Sequence, residues 1–339
     1  MPVVDILSHG VVGLLPVLCF LAILLYLDSY KLVRLRAVIA VVASGVVVAG
    51  ACYFLNGYLL RVTAIDLSSF TRYVGPVTEE LGKALVIIAL IRAHRVGFLV
   101  DAAIFGFAVG TGFAIVENIY YQLLVPDAGI GTWIVRGFGT AIMHGGATAI
   151  FAMMSLALLE RARKRTIVAF LPGFALAVTL HSAFNHMYVS PRLSTLAVLV
   201  VLPPILYVVF QHSEKAVGDW LGQGFDADAE MLELINSARL SDSPLGEYLN
   251  TLKHKFKGPV VADMLCYLRL YTELALRAKG ILMLRESGFE EVPVDEATQA
   301  KFTELRYLES SIGKTGLLAI QPMCHMSHKD LWQLYMLGK

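Results

Sequence analysis

Chemistry in this sequence is concentrated in four short runs where ionisable or amide side chains interrupt otherwise apolar stretches: Glu79, Glu80 and Lys83; Glu117; His144; and His181 with Asn185. Carboxylates, imidazoles and an ammonium are the groups that move protons and hold water, so together they could hydrolyse a carbonyl compound. Glu79 and Lys83 stand four residues apart and share a helical face, so the lysine is expected to neutralise Glu79 while Glu80, turned by about 100°, addresses another neighbour. His181 and Asn185 are also four apart and present an imidazole and a carboxamide together. Asn118, Arg136 and His186 lie near these runs and are read as supporting or interfacial groups.

The elements that carry these residues are membrane helices. Of the 339 residues, 57% are hydrophobic and only 16% charged, against roughly 25% charged in soluble domains, and the mean hydropathy is +0.65. An isolated charge at the centre of a membrane helix costs about 2.5–3.5 kcal/mol, so such residues are expected to line a cavity and pair. Spanning about 30 Å of hydrocarbon takes roughly 20 apolar residues in a helix that satisfies its own backbone. Seven segments are predicted: residues 11–27, 37–55, 74–92, 101–124, 132–159, 166–188 and 193–211. The expected fold is all-α, a polytopic bundle over residues 1–211 with a cytoplasmic, mostly helical domain over residues 212–339. Gly258-Pro259 and Pro293 mark breaks in that second domain.

Basic residues follow the first, third and fifth segments: Lys31, Arg34 and Arg36; Arg92 and Arg95; Arg161, Arg163, Lys164 and Arg165. Positive charge accumulates on the cytoplasmic side, which predicts the N-terminus outside and the C-terminus in the cytoplasm. Net charge is +1, so no basic field suggests nucleic acid. The four cysteines form no CxxC pair and read as packing residues. Cys324, His325 and His328 lack the paired spacing of a metal site.

With alternate segments reversed, Glu79, Glu80, Glu117, His144, His181 and Asn185 all fall in the outer half of the bilayer, His144 deepest. Four helices can therefore supply one site. Gly106, Gly110 and Gly112, with Gly145 and Gly146, permit close helix approach. Each group also has a plainer reading: an ion pair that fixes helix register, or an imidazole that bonds a neighbouring helix. Tyr120, Tyr121, Trp133 and Tyr188 lie where an aromatic belt is expected.

On consecutive segments the chain carries Glu79-Glu80-Leu-Gly-Lys83 (EExxK), Phe113-Ala-Ile-Val-Glu117-Asn118 (FxxxE then Asn), His144 among glycines, and His181-Ser-Ala-Phe-Asn185 (HxxxN). In this it resembles the PrsW-type intramembrane proteases, within the wider group of CAAX prenyl endopeptidases. Those endopeptidases carry EExxxR and FxxxH, so Lys83 and Glu117 align the chain with the PrsW branch and against prenyl specificity. The resemblance implies an endopeptidase in which Glu79 activates water, Glu80 and Lys83 tune or orient it, His181 holds the water or donates a proton, Asn185 donates to the oxyanion, and Glu117 and His144 complete the chamber, Glu117 as a second base or an orienting acceptor. No cofactor is the favoured reading, a glutamic-type protease over a metallo-type one. Zinc is the alternative, on Glu79, Glu117, His144 and His181. The implied partner is a single-span membrane protein, such as an anti-sigma factor, in a bacterial inner membrane. The competing classes are a non-catalytic scaffold or chaperone of related fold and a proton-coupled transporter.

Overall fold

In the computed structural model of the chain, residues 3–161, 167–237, 239–289, 295–324 and 332 are described. Pro293, His325, His328 and three of the loop cations, Arg163, Lys164 and Arg165, lie outside them. All regular structure among the described residues is helical. The chain divides into two compact units, Met1–Glu214 and Lys215–Lys339.

The first unit contains α1 (Val3–Tyr26), α2 (Leu35–Thr63), the single turn α3 (Leu67–Ser69), α4 (Gly75–Arg92), α5 (Leu99–Leu124), the short α6 (Ile130–Ile134), α7 (Ile142–Arg161), α8 (Leu171–His186) and the start of α9 (Pro191–Asn236). Two π-helical stretches interrupt this order, Phe70–Val74 before α4 and Val135–Ala141 before α7. Among the described residues, six helical runs are long and apolar enough to cross a membrane: Ser8–Tyr26, Leu35–Thr63, Leu99–Leu124, Ile130–Arg161, Ile167–His186 and Pro191–Asn236. The chain is thus an integral membrane protein. The expected segment 74–92 is not among the six, because α4 carries Glu79, Glu80, Lys83 and Arg92.

α5 is the central helix, buried without a break from Val100 to Ala114, and packs on α7, α2 and α1. Its small residues make this approach possible, since packing in lipid relies on van der Waals contact rather than on hydrophobic drive. A Cβ on Gly110 would overlap the backbone carbonyl of His144, and one on Gly112 the carbonyl of Val42. Gly110 therefore sets how near His144 comes to α5.

Helix directions follow from the contacts. Asn56 of α2 meets Thr78 and Glu79 of α4, Cys52 meets Thr78, and a Cβ on Gly82 would meet Val48, so α2 and α4 are antiparallel. α5 runs parallel to α2: Gly45 approaches Val109, Cys52 clusters with Phe113, and Tyr53 meets Tyr120. Along α4, Glu80, Lys83, Ala84, Ile87 and Ile91 are buried, while Val77, Leu81 and Leu85 are exposed. Its charged side faces protein and its apolar side faces outward, the inverse of a soluble amphipathic helix.

The second unit contains the end of α9, α10 (Pro244–Leu252), α11 (Gly258–Glu286) and α12 (Glu296–Ile320), the last kinked at Gly313. Pro259 begins α11, where its missing N–H is not needed. Met264, Tyr267, Leu268, Tyr271 and Leu274 pack on Leu305, Leu308 and Ile312. Lys279 is buried 2.6 Å from Asp228 and lies over the Trp220 ring.

Candidate active site

The first unit gathers its misplaced polar residues into one connected network. Lys83 Nζ is at its centre, fully buried, 2.6 Å from Glu80 Oε1 and 3.0 Å from His144 Nδ1. The same Glu80 oxygen is 2.8 Å from His181 Nδ1. On the far side of His144, Nε2 is 2.9 Å from Glu117 Oε2, and Arg136 lies 3.4 Å from Glu117 Oε1. Phe113 closes the floor, its ring 4.7 Å from Lys83 Nζ and 5.0 Å from the His144 ring.

These contacts fix proton positions. An ammonium has donors only, so His144 Nδ1 must accept from Lys83, which leaves its Nε2–H to donate to Glu117. Ionised Glu80 has acceptors only, so His181 Nδ1–H donates to it, and in the neutral imidazole Nε2 keeps its lone pair. That lone pair lies 3.8 Å from Glu79 Oε2, too far for a hydrogen bond between them. Glu79 and Glu117 are the partly exposed carboxylates of the set; Glu80, Lys83, His144 and His181 are buried. Glu117 is engaged by Arg136 and His144, so the edge left unbonded is Glu79 Oε2 facing His181 Nε2, with the His144 ring 4.7 Å behind.

Two expectations need correction. Lys83 pairs with Glu80, three residues away, rather than with Glu79. Glu79 instead receives a hydrogen bond from Asn56 Nδ2 at 3.2 Å, which leaves the lysine for the more deeply buried carboxylate. Asn185, expected to face the reacting carbonyl, donates from Nδ2 to the Thr71 carbonyl at 2.9 Å. The π stretch before α4 explains this. Gly75 N–H closes a π-type bond to Phe70, and Pro76 has no N–H to offer Thr71 or Arg72, five and four residues back. Asn185 supplies Thr71, and Ser182 Oγ supplies Arg72 at 2.6 Å. Two of the five residues from His181 to Asn185 thus dock α8 on the turn preceding Glu79, and His181 is delivered between Glu79 and Glu80.

Among the supporting residues, buried Asn118 accepts from Arg136 Nε at 2.9 Å and donates to the Gly13 carbonyl at 2.7 Å. Arg136 also stacks on Tyr121, 3.8 Å from its ring centroid. His186 sits away from the centre, between Tyr73 and Tyr188. Trp133 is not a belt residue: it is buried and stacks on His9. Cys52 and Cys324 are buried, but Cys19 and Cys266 are exposed rather than packed. Asn56, Thr78 and Ser182 were not expected from sequence. Asn56 had a signal, a lone amide continuing the buried α2 series Val38, Val41, Gly45, Ala49, Cys52 at helical spacing.

The residues also bear on a metal. Ligand atoms of Glu79, His144 and His181 all lie within 4.8 Å of one another. One carboxylate and two imidazoles are a set that zinc takes when it keeps an open position, and Glu80 behind His181 is the usual carboxylate support for a ligating imidazole. The set fits zinc. Glu117 falls outside this group, engaged by Arg136 and His144.

A membrane bundle enclosing a buried network of carboxylates, imidazoles and a lysine, with one carboxylate–imidazole edge left unbonded, is the architecture of a membrane-embedded hydrolase. Residues 33–210 match the family described as PrsW family intramembrane metalloprotease, and the chain belongs to that family. No curated protein and no solved structure matches it.

Proposed function

We propose that the chain is an endopeptidase that cuts single-span membrane proteins, with the water activated at the Glu79–His181 edge. The observation that carries this reading is the 3.8 Å approach of Glu79 Oε2 to His181 Nε2, two acceptors that a water can address together. Glu79 takes a proton from this water as its oxygen bonds to the scissile carbonyl carbon. The C–N bond then breaks and Glu79 returns the proton to the leaving amine. Glu80 keeps the His181 lone pair on the water side, and Lys83 neutralises Glu80. Arg136 and His144 hold Glu117 at the rim. A zinc ion held by Glu79 and His181, with His144 released from Lys83 or Glu117, would supply Lewis acidity and a more acidic water at the same point.

A seventh crossing by α4 is supported by the helix directions. α2 and α5 are parallel with α4 antiparallel to α2 between them, and a return traverse is needed to begin α5 on the side where α2 began. Seven crossings put the termini on opposite sides, and the basic loops favour a cytoplasmic C-terminus in a bacterial inner membrane. The substrate is then cut near the outer face.

The test compares membrane proteomes of cells making the wild type and Glu79→Gln. A single-span protein should accumulate uncut in the variant; unchanged processing with Glu79→Gln refutes the reading. Purified protein then decides the metal question. Cleavage retained after stringent chelation supports Glu79 as the base of a metal-free enzyme, and cleavage restored only by zinc favours the metal-assisted alternative.

A further inference from the structure

We infer that Asn56, on a helix that carries none of the four motifs, is a positioning residue for Glu79; this rests on the proposed role of the Glu79–His181 edge. Asn56 Nδ2 donates to Glu79 Oε1 at 3.2 Å, while Oε2 of the same carboxylate faces His181. A carboxylate held at one oxygen only by its own side-chain torsions would rotate. Held from α2 and facing α8, it presents one defined oxygen to the reacting edge.

The amide is itself oriented. Thr78 Oγ1 lies 2.6 Å from Asn56 Oδ1, closer than its other acceptors, the Gly75 carbonyl at 2.9 Å and the Val74 carbonyl at 3.4 Å. The hydroxyl proton given to Oδ1 turns Nδ2 toward Glu79. Thr78 is the residue before Glu79, so α4 and α2 are stitched by two bonds, one from each helix. Asn56 is half-buried and sits where the α2 stripe reaches the depth of the site. Ion pairs hold Glu80 and Glu117 in the same network. Glu79 receives instead a neutral amide, which fixes its orientation without adding a charge.

The measurement is kcat and KM on a single-span protein that accumulates uncut with Glu79→Gln, together with thermal stability. Asn56→Ala should lower kcat about 10–100-fold, as expected for a misplaced reacting group, and leave KM within about threefold. Asn56→Asp is close to isosteric and satisfies packing, yet sets a second carboxylate against Glu79 Oε1, so it should lose at least as much kcat. Thr78→Val should lose several-fold, Thr78→Ser nothing, and Asn56→Ala with Thr78→Val no more than Asn56→Ala alone. Wild-type kcat in Asn56→Asp overturns the inference, as does a Thr78→Val loss that multiplies with that of Asn56→Ala. Either result leaves the proposed function standing provided Glu79→Gln is inactive; an active Glu79→Gln removes both.

Discussion

Replacing Lys83 by Met should destabilise the first unit more than any other single change in the network. Lys83 is fully buried and bonds Glu80 Oε1 at 2.6 Å and His144 Nδ1 at 3.0 Å. Methionine fills nearly the same volume, so packing loss is small. The cost comes from Glu80, which is 2% exposed and keeps only His181 Nδ1 at 2.8 Å. Removing one partner of a buried ion pair costs about 3–5 kcal/mol, because the other charge is stranded. Taking 2–4 °C per kcal/mol, the melting temperature in detergent should fall on the order of 10 °C. Glu80→Gln in the same chain removes the stranded charge, so the double variant should be more stable than Lys83→Met alone. A double-mutant cycle on thermal unfolding reads the coupling, expected at about 2–3 kcal/mol. Losses that simply add, or an unchanged melting temperature in Lys83→Met, would refute the buried pair as described.

Asn185→Ala orphans the Thr71 carbonyl, and Ser182→Ala the Arg72 carbonyl. Asn185→Ala should cost about 1–3 kcal/mol of stability and Ser182→Ala, whose bond is exposed, less, read as a fall in melting temperature alongside reduced cleavage. A carboxamide acting as oxyanion donor would instead lose 10²–10³-fold in kcat, on the order of that factor, with the melting temperature unchanged. In the second unit, hydrogen bonds from the Thr298 hydroxyl and amide, with Arg277 nearby, hold the Asp295 carboxyl below its ordinary value of 3.8. Its folded value is depressed, so this stabilisation is complete above the ordinary value and is lost as pH falls through the folded one. The protection of the Thr298 amide, its exchange rate relative to the intrinsic rate at the same pH, should therefore fall under acid, below about pH 4, and lose that pH dependence in Asp295→Ala.

Much of the site could be read from one dimension because lipid penalises charge so heavily. Glu79, Glu80, Lys83, Glu117, His144 and His181 stand out against apolar surroundings, and alternating helix direction brings them to one depth. Spacing alone misassigned the lysine, because positions three and four residues on are both neighbours on a helix. Burial decided between them: Glu80 points inward and needs the cation, and Glu79 lies at the unbonded edge. Asn185 could not be placed from its motif, because its partner arises from a π stretch and a proline on another helix. That pairing depends on which carbonyls Pro76 leaves without donors and on how α8 docks there.

The sequence by itself determined that this chain lives in a membrane, carries ionisable groups in its spans and has the family's residues, since hydropathy and residue type are local properties. Only the tertiary structure decided which charge meets which, that Asn56 reaches Glu79 from a helix without a motif, and that one edge stays unbonded. Those depend on the separation and rotation of packed helices, which small residues such as Gly110 and the two π stretches set, and these have no fixed period in the sequence.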